Sequence, residues 1–118
     1  MKNEDIAALE QLQGFLGACI VDADSGMMMV SLGGSSLDLE VAAAANTEVV
    51  KAKQRAIREL GLDDSIEDIL ITLGGQYHLI RPLGISPMVF IYLALDRENS
   101  NLALARRALK TAEQSVTM

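Results

Sequence analysis

Apolar and polar positions alternate in blocks along this chain, and the blocks change period. FLGACIV (15–21) runs apolar without alternation, the polar stretch DADSG follows, and MMMVSL resumes the apolar run. A short unbroken apolar run fits a strand covered on both faces, so the two runs predict a β-hairpin turning at DADSG. Before it, Ile6, Leu9 and Leu12 fall at helical spacing. They predict a helix capped by Asn3, favoured at its start by Glu4 and Asp5 and stopped by Gly14.

GGSS then reads as a loop, with Ser35 or Ser36 as N-cap of a long helix over about 37–60 that ends at Gly61. Val41, Ala45, Val49, Ala52, Ala56 and Leu60 lie on one side of this helix, the face expected to pack on a sheet. A second stripe, Ala43, Val50 and Ile57, recurs every seven residues, roughly 100° round the helix from the first. Glu48, Lys51, Arg55 and Arg58 take the remaining, solvent side. A helix on its own sheet needs one apolar stripe. The second either widens the core face or meets the same helix of a second copy, two-fold pairing being the commonest oligomer.

Past a polar break at Asp63-Asp64-Ser65 come IEDILITL, QYHLIRPL and PMVFIYLAL, then a helix over about 98–115. Gly74-Gly75 predicts a tight hairpin between the first two, and Pro82 and Pro87 bracket the next loop. PMVFIYLAL, apolar almost throughout, belongs in the sheet centre. IEDILITL, with Glu67, Asp68 and Thr72, suits an edge. The order is αββαβββα, an α+β domain, and 118 residues without an internal linker predict one domain over 1–118.

Composition narrows the function. Half the residues are hydrophobic but only 3% aromatic, so the core is aliphatic, few rings remain for stacking, and a ligand pocket is not expected. A net charge of −6 opposes phosphate backbones and anionic membranes, which excludes nucleic acid as a partner. No apolar run approaches the roughly 20 residues of a membrane span, and the charged start is not an export signal. With a single cysteine, Cys19, the expected location is the cytoplasm.

Candidate chemistry fares poorly. From Asp22, an EF-hand loop would place Gly26 at position 5, Met27 at position 6 and Gly33 at position 12, so most calcium ligands are missing. Phosphotransfer through Asp22 and Asp24 needs a loop and helix next, whereas MMMVSL returns as a strand. His78 is the only histidine, and no serine or Cys19 carries a nucleophile motif. One His and one Cys make no zinc site, and Gly33-Gly34 and Gly74-Gly75 lack the Lys-Ser/Thr of a phosphate loop. No catalytic residue, metal or cofactor is predicted.

The element order, together with GACIVDADSGMMM, AAAANTEVVKA, EDILITLGGQYHLIRPL and FIYLALDRENSNLALARRAL, resembles the Roadblock/dynein light chain family over nearly the whole chain. The resemblance implies a profilin-like sandwich: a five-stranded antiparallel sheet with one helix on one face and two on the other. It further implies a homodimer in which third strands pair edge to edge and long helices pack together. In this chain that points to Ala43, Val50, Ile57, Asp68, Leu70 and Thr72 as interface positions. Family members lack catalytic triads and metals. They bind small Ras-like GTPases as regulators or scaffolds, in bacteria as dimeric activating partners of a polarity or gliding-motility GTPase, or serve in motor and signalling complexes. The functions implied are therefore non-catalytic GTPase regulation or, alternatively, a structural scaffold subunit.

Overall fold

The computed structural model of the chain describes residues 2–116. Two 3₁₀ turns, Asn3–Asp5 and Ala7–Gln11, precede strands β1 (Phe15–Asp22) and β2 (Met27–Gly33), helix α1 (Leu39–Glu59), strands β3 (Ile69–Thr72), β4 (Gln76–Pro82) and β5 (Val89–Asp96), and helix α2 (Leu102–Ser115). The strands form one antiparallel sheet in the order β2-β1-β5-β4-β3. Strand β5 occupies the centre and β3 an edge, as the apolar run and the acidic residues predict.

Both faces of the sheet are covered. Val89, Ile91, Leu93 and Leu95 of β5 join Ile6, Leu9, Ile20, Leu79 and Leu109 beneath α2 and the 3₁₀ turns. Phe90, Tyr92 and Ala94 face the other way, with Cys19, Val21, Ile80 and Val50, beneath α1. A strand buried on both faces has no polar side to show, which is why β5 reads as an unbroken apolar run.

Three predicted boundaries change. The first segment is 3₁₀ rather than α-helical, because Ile6, Leu9 and Leu12 repeat at three residues, the period at which 3₁₀ side chains eclipse on one side. Its cap is not Asn3: the Lys2 amide donates to Asp5 Oδ2 at 3.0 Å. Helix α1 is capped by Asp38, whose Oδ1 accepts from the Val41 amide at 3.1 Å, so neither Ser35 nor Ser36 fills that role. Helix α2 starts at Leu102, with Asn101 Oδ1 accepting from the Leu104 amide.

The end of α1 follows expectation. Gly61 sits at φ +70°, the Leu62 amide donates to Ile57 O at 3.2 Å and the Gly61 amide to Arg58 O at 3.0 Å. These two bonds make a Schellman motif.

The larger correction is the rotation of α1. Leu39, Ala43 and Val50 point into the sheet and are buried, while Val41, Ala45, Val49, Ala52 and Leu60 face outward. The first stripe faces outward instead of packing on the sheet, and Ala43 and Val50 of the second take the core-face role, one of the two open to them. Asn46 and Thr47 explain why: both are buried between Ala43 and Val50, where polar side chains argue against a core face. Each returns its donor to the preceding turn, Asn46 Nδ2 to Ala42 O and Thr47 Oγ1 to Ala43 O, both at 2.8 Å. Burial then leaves no donor unpaired.

Candidate protein-interaction surface

DADSG is a turn. Asp22 Oδ1 accepts from the Asp24 amide at 3.0 Å, Asp22 O accepts from the Gly26 amide at 2.7 Å, and Ser25 Oγ accepts from the Met27 amide at 3.2 Å. Gly26 adopts φ +75°, so the turn closes on local hydrogen bonds and a glycine that tolerates the left-handed backbone. Among the described residues no three His, Cys, Asp or Glu side chains gather as a metal site.

His78 accompanies no nucleophile. Its Nε2 lies 2.7 Å from Gln76 Oε1 and its Nδ1 3.2 Å from the Tyr92 hydroxyl, and its ring meets the Tyr92 ring edge-on. Burial lowers the His78 pKa below 6.5, favouring a neutral ring. Cys19 is buried, and desolvation pushes its thiol up to about 12, the opposite of an activated nucleophile.

What the molecule displays instead is surface. Along the outward side of α1, Val41 (63% exposed), Val49 (37%) and Leu60 (69%) stand exposed, with the small Ala45 and Ala52 between them. Alanines in such a stripe let a second helix approach closely. Arg55 borders the stripe toward solvent and pairs with Glu59 at 4.0 Å. Strand β3 pairs only with β4, in the register Ile69↔Ile80 to Thr72↔Tyr77, so its outer edge is open among the described residues. An open edge is a template for another strand. No described helix is long and apolar enough to cross a membrane.

The same architecture recurs in solved structures. Myxococcus xanthus MglB superposes with a TM-score of 0.83 at 18% identity, covering 96% of this chain and 89% of that one. The Roadblock/LC7 domain from Streptomyces avermitilis gives 0.83 at 14% identity, covering 97% and 92%. This is the roadblock fold. The gliding protein MglB from Thermus thermophilus shares it, with a TM-score of 0.78 at 15% identity over 95% of this chain and 82% of that one. No protein-family profile and no curated protein matches the sequence.

On this roadblock frame the six positions expected at an interface separate. Ala43 and Val50 lie inside the chain's own core and cannot form an exposed seam, which corrects that part of the expectation. Ile57 is half-buried at the lip of a cleft. Asp68, just before β3, accepts from Arg106 Nε of α2 at 3.2 Å, and Leu70 packs toward the α2 side. Thr72, at the end of β3, is exposed. Sequence reasoning found the Val41–Leu60 stripe but assigned it to the sheet. The cleft beside Ile57 it missed, because the contributing residues lie on separate elements and share no motif.

Proposed function

We propose that this chain is a non-catalytic, homodimeric regulator or adaptor of a small Ras-like GTPase, acting in the cytoplasm as a single domain over 1–118. The observation that carries the reading is the outward apolar stripe of α1, joined by an open sheet edge at β3, on a fold shared with MglB. The resemblance of the sequence to GTPase-binding roadblock proteins and the likeness of the fold to a gliding protein support the same reading.

In the dimer, β3 strands pair edge to edge, with Asp68, Leu70 and Thr72 along the join. Val41, Ala45, Val49 and Ala52 of α1 pack on their copies, in place of the Ala43–Val50–Ile57 seam. The joined sheets and paired helices form the platform that the GTPase contacts. Non-catalysis is supported by Asp22 and Asp24, which close a turn, and by Cys19, whose thiol is held protonated.

Affinity capture from a native lysate in the presence of GDP or a non-hydrolysable GTP analogue tests the proposal. A small GTPase retained preferentially in one nucleotide state is expected. Recovery of other complex subunits with no GTPase in either state would overturn it in favour of a scaffold role.

A further inference from the structure

A cleft of about 670 Å³ opens where the C-terminal turn of α1, the segment leading to β3, and the β4–β5 loop meet the end of α2. Its apolar wall is Ile57, Leu62, Leu83 and Met88, and Arg58 of α1 and Arg81 of β4 also line it. Arg81 is only 8% exposed. Its Nε donates to Glu113 Oε1, while Glu113 Oε2 accepts from the Gly84 amide at 2.8 Å.

Both carboxylate oxygens of Glu113 are therefore engaged, and the guanidinium is held in a fixed orientation. No hydrogen bond from the Arg81 Nη groups is made to a described residue. No fully buried side-chain nitrogen or oxygen among those residues lacks a partner, so these Nη groups reach the open space of the cleft. A pre-oriented guanidinium with unspent donors beside an apolar wall is a receptor for a planar anion.

We propose that the cleft binds a small organic monocarboxylate, its carboxylate on the Arg81 Nη groups and Arg58, its apolar body against Ile57, Leu83 and Met88. Charge fixes the class. Asp64 and Glu67 line the same cleft with Glu113, so three acids stand with two arginines, and the repulsion a polyphosphate meets is several times that on a single carboxylate. The site lies apart from the outward stripe of α1 and does not depend on a GTPase partner.

The test is an amide and guanidinium NMR titration of the full chain with three probes: 4-methylpentanoate, the matching amine 3-methylbutylamine, and pyrophosphate. Saturable shifts at Arg81 Nε–H and Gly84 N–H are expected with 4-methylpentanoate alone. In Arg58→Gln, an exposed change that leaves the Arg81–Glu113 pair in place, affinity for that probe should fall about fivefold. Saturation by the amine or pyrophosphate at these resonances, shifts confined to other surfaces, or unaltered affinity in Arg58→Gln would overturn the assignment.

Discussion

Val49 and Val50 are adjacent in sequence and opposite in fate, and exchanging each for glutamate measures the rotation of α1 directly. Val50 is 0% exposed and packs in the apolar cluster holding Cys19, Phe90 and Tyr92. Val50→Glu forfeits about 1.5–3 kcal/mol of apolar burial. It also places an unpaired carboxylate in the core, at a further penalty of about 3 kcal/mol or more. The sum, about 5 kcal/mol, equals the whole stability of a marginal domain. Val49, 37% exposed on the outward stripe, sits where glutamate is a better helix former than valine. Val49→Glu should shift the unfolding free energy of dilute chain by no more than about 1 kcal/mol. Urea unfolding followed by far-UV circular dichroism reads both. A folded Val50→Glu with near wild-type stability beside an unfolded Val49→Glu would mean that α1 is turned the other way.

Two further outcomes concern the ion pair and the first hairpin. Burial alone would raise the pKa of Glu113, but the Gly84 amide and Arg81 outweigh it and hold the carboxyl below 4.5. A depressed carboxyl stabilises the fold above its unfolded pKa and loses that contribution on acidification. Unfolding free energy should therefore fall as pH drops below about 4.5 and on through the depressed value, with a shallower fall in Glu113→Gln; an equal slope in the two proteins would refute the pair's role. Gly26→Ala forces a side chain into φ +75° and should destabilise by about 1 kcal/mol in thermal melts, while millimolar calcium or magnesium leaves the wild-type melting temperature unchanged.

Much of the fold was legible because its signals are local. The unbroken run of β5, the glycines that close the first hairpin and end helix α1, and the acidic residues around β3 each report one element's environment. Helix caps were misjudged by a few residues, since Asp38 and Asn101 compete with several neighbours of similar chemistry. The rotation of α1 was not legible for a different reason. Two apolar stripes compete for one core, and the choice rests on Asn46 and Thr47, whose polarity is cancelled by bonds to their own helix. Ile6, Leu9 and Leu12 did contain their answer, as a repeat of three rather than 3.6. The Arg81–Glu113 cleft joins residues 32 positions apart, and only the closed fold brings them together.

In the proposed dimer, two copies meet at the outward stripe of α1 and the open edge of β3. Sedimentation velocity of the wild-type chain and Val49→Glu, side by side over a range of concentrations, tests it most directly. In a two-fold interface the glutamate enters twice, for a penalty of about 3 kcal/mol, or roughly a 100-fold weaker association. A wild-type dimer and a folded Val49→Glu monomer are expected over the same concentrations. A monomeric wild type at every concentration, or a Val49→Glu dimer as tight as the wild type, would contradict it.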